Sequence, residues 1–228
     1  MWVRMNAMSD QGYRITEIFL LPGECDALIA CLSRPRARRG RAGTRHLMAT
    51  PEVAALASDP RLLQIARETL GPDAIAYRAT LFEKSGHANW LVSWHQDTAL
   101  PIATQIASSD WGPWSTKEGL LYAQAPAWAL ERVLALRVHL DASTVANGPL
   151  RVIPGSHRSG VLGDKAVLDI ARRQAAFDCL VPRGGIMTMR PLLVHSSSKA
   201  RVDEPRRVLH IEYAVSLDLS DGIRLAMA

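Results

Sequence analysis

The apolar positions of this chain change their spacing near residue 73. Before it they recur three and four apart, as on one side of a helix. Ala27, Leu28, Ala30, Cys31 and Leu32 give such a side to a segment opened by Leu21-Pro22-Gly23-Glu24, with proline at a permitted early position. Pro51 to Ser58 reads as a second helix, and Asp59-Pro60-Arg61 through Leu70 as a third. Asp59 suits the N-cap, Pro60 the first turn and Gly71 the stop, and Leu62, Leu63, Ile65, Ala66 and Leu70 would face a barrel. Residues 1–14 read as a loosely held lead-in.

After residue 73 the period becomes two. Ile75 to Glu83 alternates and is rich in strand formers. Lys84-Ser85-Gly86-His87-Ala88-Asn89 reads as a turn, with His87 solvated, and Trp90-Leu91-Val92-Ser93 as a short strand. The pattern lapses over 98–131, where Trp111, Trp114, Lys117, Tyr122 and Trp128 lie among Gly112, Pro113, Gly119 and Pro126. A long aromatic-rich insertion of this kind reads as a lid or substrate wall, or equally as a packing flap. Regular structure resumes at Arg132, with Leu134, Leu136, Val138 and Leu140 on one face and Arg137 and His139 on the other. Asn147-Gly148-Pro149-Leu150 is a turn before the short strand Arg151-Val152-Ile153, which Pro154-Gly155-Ser156-His157 closes. His157 there reads as structural or capping. Asp164 to Ala176 is helical, Cys179-Leu180-Val181 a strand and Pro182-Arg183-Gly184-Gly185 a tight turn. Ile186 to Arg190, Leu192 to Ser196 and Arg207 to Leu217 supply the last strands. The expected fold is mainly β with N-terminal helices, a jelly roll of two sheets closing over a pocket. It is read as one domain over 1–228, with a helical part at 1–72 and a β core at 73–217 that carries the 98–131 insertion.

Composition narrows this little. With 228 residues, 48% of them hydrophobic, the chain suits one domain with a full core. Much of the net charge of +5 sits between Arg34 and Arg45. That run has no aromatic residue for base stacking, so it reads as a solvated loop rather than a nucleic-acid patch. Three cysteines without a C-x-x-C pair argue against a disulfide framework or zinc ribbon and fit a reducing cytoplasm. No apolar run has membrane-spanning length, and Met1 to Asp10 lacks the apolar centre of a signal peptide.

The candidate chemistry lies in Trp94-His95-Gln96-Asp97. On a strand, residues two apart share a face, so His95 and Asp97 project together and Gln96 turns away. An imidazole and a carboxylate side by side are two-thirds of a facial metal triad, which leaves positions open on a non-haem iron. His195 in Leu193-Val194-His195-Ser196 is the leading third ligand, brought back by the fold. Arg206, eleven residues later, could fork onto a carboxylate with two parallel hydrogen bonds.

These pieces together resemble the phytanoyl-CoA dioxygenase family of Fe(II)/2-oxoglutarate-dependent oxygenases. The motifs carrying the likeness are Trp94 to Asp97, Asn147 to His157, His195-Ser196-Ser197 and Arg206, in the family's order, within about Tyr77 to Tyr213. The resemblance implies a double-stranded β-helix, cupin-like barrel. It implies iron held by His95, Asp97 and His195, with 2-oxoglutarate and O2 as cosubstrates. It assigns Arg206 to the distal carboxylate of 2-oxoglutarate, helped by Ser197. Arg137 departs from relatives that carry an aromatic residue there; it is read as facing the pocket, on the near carboxylate or the substrate, or else as a rim salt bridge. Trp111, Trp114 and Lys117 are the candidate substrate contacts. The implied reaction hydroxylates an unactivated C–H bond of a small molecule, with release of succinate and CO2. The rival readings are a non-oxidative cupin-like isomerase, a nucleic-acid demethylase with the same triad, and a non-enzymatic binding module. Substrate and oligomeric state are not legible.

Overall fold

The computed structural model describes residues 7–33, 43–85, 88–220 and 222–228. Residues 34–42, which hold most of the basic run, and His87 lie outside them. In chain order the strands are β1 (Tyr13–Thr16), β2 (Gly43–Thr44), β3 (Ile75–Lys84), β4 (Val92–His95), β5 (Ala99–Pro101), β6 (Trp114–Lys117) and β7 (Leu120–Gln124). There follow β8 (Val133–His139), β9 (Leu150–Val152), β10 (Phe177–Cys179), β11 (Ile186–Met189), β12 (His195–Ser197), β13 (Arg206–Ala214), β14 (Asp218–Ser220) and β15 (Ile223–Arg224).

Two antiparallel sheets form the body. The larger has the order β1-β11-β8-β13-β3-β2 and the smaller β10-β9-β12-β4. The alternation along β3, β8 and β13 gives the larger sheet two unlike faces. One presents Ala79, Leu81, Leu134, Leu136, Val138, Leu209, Ile211 and Tyr213 to the N-terminal helices, where Cys25, Leu28, Val53, Leu56, Leu62 and Ala66 complete the core. Burial of each large apolar side chain there stabilises the fold by about 1.5–3 kcal/mol. Tyr213 also donates its hydroxyl to the Ala57 carbonyl at 2.9 Å, tying helix to sheet. The other face carries Arg78, Thr80, Phe82, Lys84, Arg137, His139, Arg206, Val208, His210 and Glu212, and turns toward the smaller sheet. An alternating strand of this sheet therefore sends leucines to the helices and charges to the interior.

The helices fall where the sequence places them, at Pro22–Leu32, Pro51–Ala57, Pro60–Leu70 and Asp164–Arg173. Asp59 caps the third, accepting from the Arg61 amide at 2.8 Å. The strands read at Trp90–Ser93 and Cys179–Val181 form two residues away, at Val92–His95 and Phe177–Cys179, and two larger readings need correction. The lead-in is not loose throughout: Tyr13–Thr16 is an edge strand in register with Ile186 to Met189. The stretch 98–131 is not one long loop. It holds the three-stranded sheet β5-β7-β6 and a short helix, Ala127–Leu130. Glu118 and Gly119 are both left-handed, as a two-residue hairpin between β6 and β7 requires. Backbone bonds to the C-terminal segment, Ala103 N–H to Arg224 O at 2.8 Å and Ala226 N–H to Pro101 O at 3.0 Å, hold it in place. Trp111 is buried in that unit's own core with Leu100, Ile102 and Leu130, edge-on to Trp128.

Candidate active site

The trio forms through strand register. β12 pairs with β4 so that His195 lies directly across from His95, and with β9 so that it also neighbours Val152. The two imidazoles stand 4.2 Å apart between ring centroids. Asp97 follows the end of β4, its amide donating to the Pro191 carbonyl at 3.0 Å. Its carboxylate oxygens lie 3.7 Å from His95 Nε2 and 3.6 Å from His195 Nε2. Gln96 turns away, as the alternation requires. It donates to the Gly160 and Leu192 carbonyls at 2.9 and 2.7 Å, and accepts from the Leu162 amide at 2.8 Å.

The donor set suits a metal ion. Each imidazole presents Nδ1 to a backbone carbonyl at 2.8 Å, His95 to Ser93 and His195 to Leu193. A carbonyl only accepts, so Nδ1 carries the proton and the Nε2 lone pair is left facing Asp97. Among the described residues, one ligand atom from each of His95, Asp97 and His195 falls within 4.8 Å of the others. Burial pushes the His195 imidazole down to about 4, against the pull of Asp97. Burial alone would raise the Asp97 carboxyl, but His195 and His95, then His210 and Arg78, hold it well below the ordinary carboxylate range. A neutral imidazole beside an ionised carboxylate is the protonation state of metal ligands. The side chains of His95 and Asp97 are 39% and 40% exposed while His195 is 4%, so the trio opens on one side only.

Beside it lies a cavity of about 210 Å³, lined by Phe82, Lys84, Trp90, Val92, His95, Asp97, Arg137, Leu150, His195, Ser197 and Arg206. Its far end is cationic. Arg206 is buried, with neither Nε nor Nη1 hydrogen-bonded; Arg137 Nε is likewise buried without an acceptor. Arg137 gives Nη1 to His210 Nδ1 at 3.0 Å and stacks over Phe82. No carboxylate among the described residues is in ion-pair distance of Lys84, Arg137 or Arg206. Burial, then Arg137, lowers the Arg206 guanidinium to about 9. Ser197 accepts from Lys84 Nζ at 2.7 Å and donates to the Gly148 carbonyl at 3.0 Å. Gly148 is left-handed, at a place where a Cβ would collide with the Ser198 carbonyl.

Of the residues singled out in the sequence, His95, Asp97, His195, Arg137, Ser197 and Arg206 line one cavity. Trp111 does not; its ring packs in the core described above. Lys117 and Trp114 sit on β6, with the Lys117 ammonium 4.6 Å from the Tyr122 ring centroid. His157 lies in the 3-10 turn Ser156–Ser159, against Gly12 and outside the trio. The sequence reading missed Lys84, taken as a turn residue. Its even-numbered place after Arg78, Thr80 and Phe82 was the available signal. Burial, then Arg206, lowers its ammonium to about 8.

Comparisons with known proteins point the same way. A family model described as "Phytanoyl-CoA dioxygenase (PhyH)" matches residues 8–208. An ectoine dioxygenase of Sphingopyxis alaskensis is 33% identical over 110 residues, 48% of this chain and 29% of that protein. An L-proline trans-4-hydroxylase of Streptomyces griseoviridis is 26% identical over 180 residues, 68% of this chain and 59% of the relative. The chain thus matches less than two-thirds of these relatives' length. Among solved structures, EctD from S. alaskensis with 2-oxoglutarate and 5-hydroxyectoine superposes with a TM-score of 0.70 at 23% identity, covering 94% of this chain and 76% of that one. HygX from Streptomyces hygroscopicus, with nickel and 2-oxoglutarate bound, gives 0.67 at 17% identity, covering 94% and 87%. At these identities the likeness is one of fold, the double-stranded β-helix.

Proposed function

The chain belongs to the phytanoyl-CoA dioxygenase family, and from that premise we propose that it is an Fe(II)- and 2-oxoglutarate-dependent dioxygenase hydroxylating an unactivated C–H bond of a small organic substrate. The observation that carries this reading is the pair of buried arginines. Donors left without acceptors inside a protein cost about 1–3 kcal/mol each, and the two residues that carry them, Arg206 and Arg137, line a cavity whose other wall is the trio. A short diacid meets both ends of that cavity. A non-oxidative cupin would have no use for the cationic end. The ectoine dioxygenase and L-proline trans-4-hydroxylase relatives support a small-molecule substrate.

In this reading His95, Asp97 and His195 hold the iron through Nε2, a carboxylate oxygen and Nε2. The bound iron supplies O2 activation coupled to decarboxylation of the oxo-acid, yielding succinate and CO2. The carbonyls of Ser93 and Leu193 fix the imidazole tautomers, and the Gln96 clamp fixes the segments on either side of Asp97. Arg206 grips the distal carboxylate of 2-oxoglutarate with help from Ser197 and Lys84, and Arg137 serves the near one. The unit at 98–131 acts as the lid, with Trp114 and Lys117 toward the substrate and Trp111 as its internal prop. No membrane-crossing role is assigned; among the described residues no helix is long and apolar enough to span one.

With His95, Asp97 and His195 all holding it, the metal would supply hydroxylation rather than halogenation. The expected product is therefore an alcohol. Succinate release should be measured across a compound library with iron and ascorbate, followed by mass spectrometry under ¹⁸O₂ with excess chloride. One labelled oxygen should enter the product and the other succinate. A chlorinated product, or iron-dependent turnover indifferent to 2-oxoglutarate, would overturn the reading.

A further inference from the structure

On β3 the inward positions run Arg78, Thr80, Phe82, Lys84. Lys84 lies across from Arg206 and Arg78 across from Glu212. Six residues of strand separate the two cations, about 20 Å of rise. The cationic cavity occupies the Lys84 end. The Arg78 end has a separate group of charges that the cosubstrate reading leaves unused.

Those charges converge on Tyr122 of β7, a fully buried ring. The Lys117 ammonium lies 4.6 Å and the Arg78 guanidinium 5.3 Å from its centroid. Its hydroxyl is 3.1 Å from His46 Nε2. Two of the three cations here are matched: Arg78 pairs with Glu212 at 3.0 Å, and Arg45 with Glu118 at 3.2 Å. Lys117 has no carboxylate in ion-pair distance among the described residues. Burial lowers the His46 imidazole against the pull of Glu118. The Glu118-Gly119 turn immediately follows Lys117 and fixes its strand, so the ammonium is placed rather than trailing in solvent.

The group lies beside the segment that follows Asp97, where Arg78 Nη1 donates to the Ala99 carbonyl at 3.4 Å. Burial, then Arg78 and Arg45, lowers the Lys117 ammonium against the opposing pull of Asp97 and Glu212. One uncompensated cation fits one carboxylate.

We propose that the primary substrate carries a carboxylate, held on the lid side of the trio by Lys117 with Arg78. This rests on the dioxygenase reading for the identity of the pocket, though its test does not depend on turnover. Lys117 is the specificity residue and Arg78 its support.

The probe is acetate, small enough to enter whatever the shape of the true substrate, with acetamide as its uncharged counterpart. Lysine side-chain NMR of the full chain, with Lys117 assigned through Lys117→Arg, reads the site directly. Acetate should shift the Lys117 resonance saturably and acetamide should not. Arg78→Gln should weaken the acetate response about tenfold or more, the effect of losing one charge-assisted hydrogen bond. Arg206→Met, which removes the cosubstrate grip, should leave it intact. The proposal is overturned by a non-saturable acetate shift, by an equal response to acetamide, by an undiminished response in Arg78→Gln, or by its loss in Arg206→Met. Failure of the dioxygenase reading shows separately, as absence of the visible charge-transfer band of an Fe(II)–2-oxoglutarate chelate under anaerobic conditions.

Discussion

Arg206 and Arg207 are adjacent, chemically identical and opposite in role, and this makes their replacement a sharp test. Arg207 points outward and is fully matched: its Nε and Nη2 meet the two Asp141 oxygens at 2.7 and 2.9 Å. Arg206 points inward and has buried Nε and Nη1 without acceptors, crowded by Lys84 and Arg137. Arg206→Met removes donors that cost about 1–3 kcal/mol each while unsatisfied. The ligand-free protein should therefore melt no lower than wild type. At about 2–4 °C per kcal/mol for a chain of this size, a gain of several degrees is expected. The same change removes a bidentate, charge-assisted grip of about 3 kcal/mol, or more than a hundredfold in 2-oxoglutarate affinity. Thermal melts with and without metal and 2-oxoglutarate read both effects. At a hundred times its Kd the cosubstrate should add about 2.7 kcal/mol to wild type, and no more than about 0.4 kcal/mol to Arg206→Met at that concentration. Arg207→Met should lower the melting temperature yet keep the ligand-induced increment. If Arg206→Met keeps the increment, or Arg207→Met loses it, the assignment of the anchor fails.

Other expectations follow from the same geometry. Purified protein should bind one Fe(II) per chain; His95→Ala and His195→Ala should abolish binding, while His157→Ala should leave stoichiometry near normal by metal analysis. Hydrogen exchange over 98–131 should slow when cosubstrate and substrate are both present, and unchanged exchange would make that unit a static cover. Lys84 in the free protein loses its proton near pH 8, and a dianion favours the protonated form, so 2-oxoglutarate affinity should hold below that pH and fall above it. Calorimetry of Lys84→Met should show weaker binding with that fall absent.

Much of the site was legible because it obeys local rules. Period two alone puts His95 and Asp97 together and Gln96 elsewhere, and Arg137 and Arg206 follow from the same alternation. His195 could be named only as the leading candidate, since only pairing with β4 across a hundred residues brings it home. Lys84 was missed because a lysine before Ser-Gly reads as the start of a turn; its strand continues because β13 supplies partners as far as Arg206. The unit at 98–131 was read as a loop for a similar reason. β5 and β6 are three and four residues long. Their stability comes from β7 and the C-terminal segment, and the Glu118-Gly119 hairpin lacks the Asn-Gly signal that marks such turns. Tyr13–Thr16 is an edge strand whose partner lies far along the chain.

The pairing of His195 with His95 has one more consequence. Side chains alternate, so a slip of β12 by a single residue would present Val194 or Ser196 in place of the histidine and turn the remaining ligand outward. Mis-zipped chains could hold most of their backbone bonds and pass as folded by circular dichroism, but they could not chelate. Tight, stoichiometric metal uptake is thus a proofreading signal for strand registry. In refolding or expression trials, the metal-competent fraction would count the correctly threaded molecules, whatever the substrate proves to be.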